Sequence, residues 1–430
     1  MRTLKQFFGS VLPRSLYRAL LAPYHFGWAF FSALYYDFPA KKLVVIGVTG
    51  TKGKSSVSEM CFSILSEAGY TPALAGTIRF AIGNESKPNL FKMTVPGRGF
   101  LQKFLRDAVS KGATHAIIEL TSEGALQYRH LFLSLNALIF TNLQKEHIES
   151  HGSMEKYFRA KLRIGKSLKH SSKRPRGIIA NKGDAYGAAF LSLPVETKLP
   201  FSYEDAKDPV FKDGRVSFMY DRTRFDIPHP GMFSVMNALA AIKTAEFLGI
   251  PVEKSARALK GLIRIPGRAE RIEAGQNFTA IVDYAHTPDS LQALYRAYPH
   301  ERKICVLGNT GGGRDTWKRP LMGHIAEEAC AEVILTNEDP YDENPQEIVG
   351  AMASGMKRAP RIIMDRREAI HTALSLAKKG DVVLVTGKGT DPYIMGAQGK
   401  KTPWSDAAVV KEELAKIVGE EKIPTPAGIM

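Results

Sequence analysis

The stretch Leu43 to Ser56, LVVIGVTGTKGKSS, constrains what this chain can fold into more than any other. Leu43 to Val48 is a short, wholly apolar, largely β-branched run, the pattern of a parallel strand buried on both faces. A glycine-rich turn follows it, and a helical pattern follows the turn. Gly50 and Gly53 let backbone N–H groups curl around an anion, Lys54 adds a point charge, and Ser55 offers a hydroxyl to a divalent cation at the start of a helix. The general pattern G-x-x-x-x-G-K-[ST] is met except at its first glycine, where Val48 stands. Glycine-rich turns also close strands for steric reasons alone, so a phosphate cradle needs support from the rest of the chain.

At 430 residues the chain exceeds one ordinary hydrophobic core, and 44% hydrophobic residues suffice for two or three domains. Only three cysteines occur, Cys61, Cys305 and Cys330, widely spaced and without a C-x-x-C. Neither a disulfide framework nor a thiolate zinc site is implied, and a reducing cytosol fits. The net charge of +16 favours anionic partners. No RNA-recognition, helix-turn-helix or zinc-finger signature accompanies it, so small anionic substrates rank above nucleic acid.

Residues 1–42 carry six basic side chains, Arg2, Lys5, Arg14, Arg18, Lys41 and Lys42, against one acidic, Asp37. Between them Leu20 to Tyr36 is apolar and aromatic, and its 17 residues sit at the lower limit for crossing a bilayer. A helix packed on the protein, a helix lying in a membrane interface and a true span remain open. Past the turn, Val57 to Ala68 reads as a helix stopped by Gly69, and helical periodicity returns at Phe100 to Ser110. Ala116 to Leu120 and Ala137 to Phe140 read as strands. This βα alternation predicts a mostly parallel sheet with functional groups at its carboxyl ends. Glu119 ends an apolar strand, where a carboxylate is costly unless paired or bound to a cation. His147 and His151 carry little signal by spacing, and Lys161, on the helix Met154 to Leu168, reads as one lysine among several on a basic face. Residues 196–228 alternate as short strands, Met232 to Leu248 is helical, and a second βα array begins beyond Ile263. Residues 1–42, 43–262 and 263–430 are thus the expected segments.

Landmarks in this order resemble the Mur ligase family, most closely its UDP-N-acetylmuramoyl-tripeptide synthetase type, over about residues 43–415. They are Gly50 to Ser55, Thr94-Val95-Pro96, Glu119-Leu120-Thr121-Ser122, Thr141-Asn142-Leu143, Glu146-His147, His151-Gly152-Ser153-Met154-Glu155 and Ala160-Lys161. Gly231 to Ser234 with Asn237, Pro266-Gly267-Arg268, Asp283 to Asp289, Gly311 to Arg319 and Gly387-Lys388-Gly389 continue the series. The resemblance implies an α/β protein with a central P-loop ATPase domain, its sheet mostly parallel, and a C-terminal Rossmann-like α/β domain. It implies ATP and Mg²⁺ as cofactors, and amide bond formation through an acyl phosphate between a peptidoglycan-precursor carboxylate and an incoming amino acid.

By the same resemblance Gly50, Thr51, Gly53, Lys54, Ser55 and Ser56 hold the triphosphate, while Asn142, Asn237, Arg268, Asp283 and His286 surround the nucleotide. Ser55, Glu119, His147 and a CO₂-carbamylated Lys161 serve the metal ions, with Lys54, His147 and Lys161 as catalytic groups. Thr94, Ser122 and Arg129 hold the acceptor, and Arg314, Glu338, Asp339, Gly387 and Asp391 the amino acid. The chain departs from the diaminopimelate-adding pattern, with Glu338-Asp339-Pro340-Tyr341 for Asp-Asn-Pro-Arg and Gly387-Lys388-Gly389-Thr390-Asp391 for Gly-Lys-Gly-His-Glu. Tyr341 in place of arginine argues for lysine or another residue without a distal carboxylate. Only 42 residues precede Leu43, so the family's usual UDP-sugar-binding domain is expected to be absent or replaced. The expected setting is the cytoplasm, with small-molecule substrates, no nucleic acid, and peripheral membrane contact through residues 1–40 as an option. Two other readings are a ligase for a folylpolyglutamate-like or cyanophycin-like acceptor, and a nucleotide-binding scaffold without turnover. A scaffold is expected to lose Lys54, Glu119, His147 or Lys161, and all four are present.

Overall fold

The computed structural model describes residues 14–421 apart from Arg98 and His147. Internal contacts group them into two compact units. One comprises residues up to Gln144, Gly152–Asp205 and Asn237–Ala258; the other comprises Lys145–His151, Ala206–Met236 and residues from Leu259 onward.

In the first unit β1 (Val44–Thr49), β2 (Pro72–Ala75), β3 (Arg79–Ile82), β4 (Glu85–Pro88), β5 (His115–Glu119), β6 (Ala137–Phe140), β7 (Gly177–Asn181) and β8 (Thr197–Phe201) form one sheet. Its order is β4-β3-β2-β5-β1-β6-β7-β8. All pairings are parallel except those of β3 and β4 at one edge. Apolar residues cover both faces, as a parallel sheet requires. Val45 joins a cluster with Ala116, Ile118, Leu138 and Ile178, while Ile46 and Val48, alternating with it, are equally buried. β5 and β6 are consecutive in the chain yet flank β1 on opposite sides. Their loops therefore diverge beyond the carboxyl end of β1, where open α/β sheets bind ligands.

The helix after β1 runs Lys54–Glu67 rather than from Val57, because Gly53, at φ +82°, is itself the residue that turns the chain into it. The apolar N-terminal run forms the helix Arg14–Tyr35 with Pro23 inside it. Among the described residues no helix is long and apolar enough to cross a membrane, which sets aside the reading of a span. Phe26 and Phe30 seat this helix on Phe132, with ring centroids 5.8 and 5.7 Å apart.

The second unit holds a three-stranded antiparallel meander, β9 (Lys207–Lys212), β10 (Arg215–Tyr220) and β11 (Thr223–Ile227). It also holds a sheet of β12 (Glu270–Ile272), β13 (Thr279–Asp283), β14 (Lys303–Leu307), β15 (Glu332–Leu335), β16 (Arg361–Ile362) and β17 (Val382–Thr386), in the order β12-β13-β17-β14-β15-β16. Only β12 is antiparallel. Successive residues divide between two buried clusters, Ile281, Cys305, Leu307 and Leu384 on one face and Val282, Ile304, Val306 and Val383 on the other. A hairpin, β18 (Tyr393–Met395) and β19 (Lys401–Pro403), follows.

One expectation is corrected here. Cys305 and Cys330 form a disulfide with their Cα atoms 6.1 Å apart. The crossover helix Lys318–Ala329 returns the chain toward β15, which pairs with β14, so Cys330 at the end of that helix meets Cys305 in β14, 25 residues away in sequence. Cys61 is free and buried.

Candidate active site

The cradle is built from the carboxyl ends of three neighbouring strands. After β1 the turn is braced from β6: Asn142 accepts from Lys52 N (2.9 Å) and donates back to Lys52 O (3.2 Å), and Thr141 Oγ1 donates to the same carbonyl (2.7 Å). Asn237 closes the other side. A Cβ on Gly53 would lie 2.4 Å from its Oδ1, so only glycine gives this turn both its positive φ and its space. The 14-residue helix that starts at Lys54 directs its first N–H groups into the turn, an anion site by geometry and dipole. Lys54 Nζ is folded back onto the carbonyls of Gly50 (3.0 Å) and Thr51 (2.8 Å), within the loop it would serve. Ser56 is buried behind Ser55.

Glu119 stands at the end of β5, 2% exposed. It accepts from Ser55 Oγ (3.1 Å), Thr77 N (2.9 Å) and Thr77 Oγ1 (2.9 Å). The cost of burying this carboxylate is thus offset by hydrogen bonds from neutral groups. Among the described residues no group of three or more His, Cys, Asp or Glu could hold a metal by itself. His147 lies outside the described residues. An acidic oxygen against the hydroxyl of the helix's first turn is nonetheless a donor set suited to a hard, oxygen-seeking cation, and the glycine-lined turn beside it suits a phosphate; the residues fit ATP and Mg²⁺.

Lys161 does not lie on the solvated face that composition suggested. It is 2% exposed, its Nζ donates to Gly50 O at 2.7 Å, and it lies 4.7 Å over the Tyr157 ring. The helix Met154–Lys166 turns Tyr157 and Lys161, four residues apart, to the same buried side. Two lysines, Lys54 and Lys161, therefore converge on one carbonyl oxygen.

The three expected acceptor residues also belong to this unit. Thr94 Oγ1 lies 3.0 Å from Thr77 Oγ1, the hydroxyl that donates to Glu119. Arg129 donates to Val95 O and to Gln127 Oε1. Ser122 is buried at the start of the short helix Ser122–Leu126, which Thr121 caps by accepting from Gly124 N.

In the second unit Asp283 accepts from Ala269 N (2.6 Å) and Ala285 N (2.7 Å), pinning the Pro266-Gly267-Arg268 turn to the end of β13. Arg268 stacks over Tyr284 at 4.7 Å. His286 directs Nδ1 to Tyr284 O (2.6 Å) and Nε2 to Glu146 Oε1 (2.9 Å). At the ends of β15 and β17, Lys388 is buried in an ion pair with Asp339 (2.8 Å) and Asp391 (3.0 Å). Asp339 Oδ1 also accepts from Met395 N, so it orients Lys388 and the hairpin. Glu338 is 3% exposed; Oε1 accepts from Thr310 (2.8 Å), and burial raises its pKa above the usual carboxylate range. Gly387 comes so close that a Cβ there would lie 2.2 Å from Glu338 Oε2. Arg314 is exposed, its guanidinium 5.3 Å over the Tyr341 ring.

Thr77, Tyr157 and Glu146 are the residues that the sequence did not single out as site groups. Thr77 follows a glycine in a loop with no motif, and nothing in its neighbourhood marks it. Tyr157, whose hydroxyl lies 3.1 Å from Thr51 Oγ1, had a signal in its spacing of four from Lys161. Glu146 had one in its place beside His147.

Sequence comparison decides the family. The Mur ligase middle domain matches residues 48–245, and the Mur ligase glutamate ligase domain matches residues 267–389. A 2,6-diaminopimelate ligase acting on UDP-N-acetylmuramoyl-L-alanyl-D-glutamate, from Caldanaerobacter subterraneus, is 35% identical over 398 residues, covering 89% of this chain and 80% of that relative. The chain belongs to the Mur ligase family. A UDP-N-acetylmuramyl-tripeptide synthetase from Roseiflexus is 34% identical over 417 residues, covering 90% of this Mur ligase and 81% of that relative. A solved diaminopimelate ligase of the same description aligns with a TM-score of 0.60 at 29% identity, covering 87% of this chain and 79% of that one. The protein is thus an ATP-dependent acid–amino-acid ligase, with the central P-loop and C-terminal α/β domains of its family.

Proposed function

We propose that this Mur ligase uses ATP and Mg²⁺ to join an incoming amino acid to a carboxylate of a peptidoglycan-precursor peptide. One observation carries the reading. The P-loop hydroxyl of Ser55 rests on Glu119, and Glu119 shares Thr77 with Thr94 of the acceptor loop. Phosphate cradle, metal carboxylate and acceptor loop are one hydrogen-bonded system within the first unit.

A carboxylate resists attack by an amine because its charge repels the nucleophile and its oxygen is a poor leaving group. Bound ATP would supply the γ-phosphoryl group that turns it into an acyl phosphate with ADP as leaving group, and attack of the neutral amine on that carbonyl would form the amide, release a proton and expel inorganic phosphate. Lys54 and the N–H groups of Gly50, Thr51, Gly53, Ser55 and Ser56 hold the triphosphate, and Ser55 and Glu119 take one Mg²⁺. Asn142, Asn237, Arg268, Asp283 and His286 orient the nucleotide, with Asn142 and Asp283 acting through the backbone they brace. His147 and Lys161 serve a second cation. Lys161 does so as a carbamate, formed when its neutral amine adds CO₂ and releases a proton; the change removes one of two cations converging on Gly50 O and presents oxygens to the metal. Thr94, Ser122 and Arg129 hold the acceptor. Arg314, Glu338, Gly387 and Asp391 take the amino acid, and Asp339 positions Lys388 beside them.

Tyr341 offers neither the charge nor the fork with which an arginine grips a distal carboxylate, so the amino acid in this reading is lysine or another residue lacking that group. The reaction consumes ATP and belongs in the cytoplasm. Residues 1–40, basic and aromatic, supply peripheral membrane contact.

The test is ADP release by the purified chain against a panel of muramoyl-peptide, folyl and other γ-carboxylate acceptors crossed with amino acids. Release that requires both a muramoyl-peptide acceptor and an amino acid is expected. No release with any pair would return the protein to the class of nucleotide-binding scaffolds.

A further inference from the structure

The helix Arg14–Tyr35 has two apolar faces: one rests on the protein, though Phe26 on it stays 45% exposed, and the other faces away. Its inner face is seated by Phe26 and Phe30 on Phe132, and by Phe26 on Tyr128 at 6.2 Å. Leu20, Tyr24, Trp28, Phe31 and Tyr35 follow one another at steps of four, four, three and four residues, which is one stripe of an α-helix, and all five are exposed. Phe31 is 67% and Tyr35 82% exposed. At 1.5 Å per residue the stripe is about 22 Å long.

A second exposed apolar group, Leu90, Phe91 and Met93, is linked to this helix through Gly99 and Phe100. The helix passes so close to Gly99 that a Cβ there would lie 2.9 Å from Ser32 Cβ, and the next residue, Phe100, packs on Phe91 at 5.5 Å. Thr94, Val95 and Gly97 lie between Met93 and Gly99 in sequence, on the acceptor loop that Arg129 grips through Val95 O. Tyr128 and Phe132, the helix's seat, flank Arg129 in the chain.

Charge selects among possible occupants of this surface. Residues 1–42 hold six basic side chains against Asp37 alone, and Asp37 is already taken by Lys42 (3.0 Å) and Arg106 (3.9 Å). Lys87, near the second apolar group, is exposed. Trp and Tyr rings on an apolar stripe, flanked by cations, are the composition of a helix lying in the headgroup region of an anionic bilayer.

We propose that the outer face of the helix Arg14–Tyr35, with Leu90, Phe91 and Met93, docks on an anionic lipid bilayer and brings the acceptor loop to peptide acceptors anchored in that bilayer by a lipid. The acceptor half of the proposal rests on the ligase reading above. The docking half does not.

The test uses the full chain and its triple variant Trp28→Ser, Phe31→Ser, Tyr35→Ser, all outward-facing positions remote from the P-loop in sequence. Co-sedimentation is measured with vesicles of phosphatidylcholine alone and with about one third phosphatidylglycerol. ADP release is measured with a soluble UDP-linked muramoyl-peptide and with the same peptide on a diphospholipid in those vesicles. The expected result is partition onto anionic vesicles, reduced at least about tenfold in the triple variant. Turnover on the embedded acceptor should exceed that on the soluble one, with this preference lost in the variant while soluble-acceptor turnover persists. The proposal is overturned by equal sedimentation of the two proteins, or by a dimer that the triple variant converts to monomer, which would make a second copy the occupant. Vesicle binding with faster turnover on the soluble acceptor overturns the acceptor half. Vesicle binding with no ADP release from either acceptor overturns the ligase reading and leaves the docking intact.

Discussion

At the residue scale the proposed ligase reading separates groups that would hold ligands from groups that hold those groups in place. Lys54 would belong to the first kind. It is partly exposed and its ammonium donates to carbonyls of its own loop, so Lys54→Ala should lower ADP release by at least about a hundredfold while the thermal transition falls far less than for a buried side chain. Near-normal product formation in that variant would remove the P-loop assignment. Lys161 is different, because it is buried against Tyr157 and its removal also leaves a cavity. Lys161→Ala should therefore lose synthesis, retain nucleotide binding and melt at lower temperature, and millimolar formate or acetate should restore part of the synthesis by supplying the missing carboxylate. Full activity of this variant in CO₂-depleted buffer would show that the lysine packs and does nothing else. Tyr341 tests specificity. Competition assays should show lysine preferred over meso-diaminopimelate, and Tyr341→Arg should move that preference toward diaminopimelate by about tenfold or more, since a bidentate arginine–carboxylate pair replaces a phenol. A wild-type preference for diaminopimelate would count against the reading.

At the element scale the N-terminal helix depends on the loop 128–132, and that loop contains a buried histidine. Burial, with a contribution from Arg163, pushes the His130 pKa down to about 4 from its ordinary 6.5, and His115 in β5 is pushed to about 4 by burial alone. Between pH 6.5 and 4 the unfolded chain takes up protons at these positions that the folded chain refuses, so stability must fall as pH falls through that window. Urea unfolding at pH 7.5 and pH 5 should show this loss, and His130→Gln should reduce it. A pH dependence identical to wild type would mean that His130 titrates alike in both states. Elsewhere the elements follow their sequence signals closely. Phe100–Ser110 and Ala137–Phe140 begin and end where pattern placed them, because each is bounded by turn residues or by a sharp change in polarity.

At the scale of the whole molecule the net charge of +16 sets the conditions under which any substrate arrives. A peptide acceptor carrying carboxylates and phosphates is attracted by such a field, and salt screens the attraction. The KM for the acceptor should rise severalfold, as an order of magnitude for long-range steering, when ionic strength is raised from about 0.05 to 0.5 M, with kcat changed less. A KM independent of salt would assign recognition to short-range contacts alone.

Local order carried much of what was legible in the sequence. Strand, glycine turn and helix are consecutive at residues 43–67, so the cradle follows from short-range rules of period and backbone freedom. The motif series extended that reading to Asn142, Asp283 and Lys388, whose roles depend on neighbours in the same turn or the next strand end. What required the tertiary structure depends on distance through space between residues far apart in the chain. Composition put Lys161 on the surface because a lysine is hydrated unless a specific environment holds it; the fold buries it 111 positions away from the carbonyl it meets. Thr77 became a link between Glu119 and Thr94 only when β5 paired beside β2, and Cys305 met Cys330 only when a crossover helix brought β15 beside β14. Periodicity records which face a residue turns inward. It holds no record of what waits on the other side, since that partner is set by the order in which strands pair.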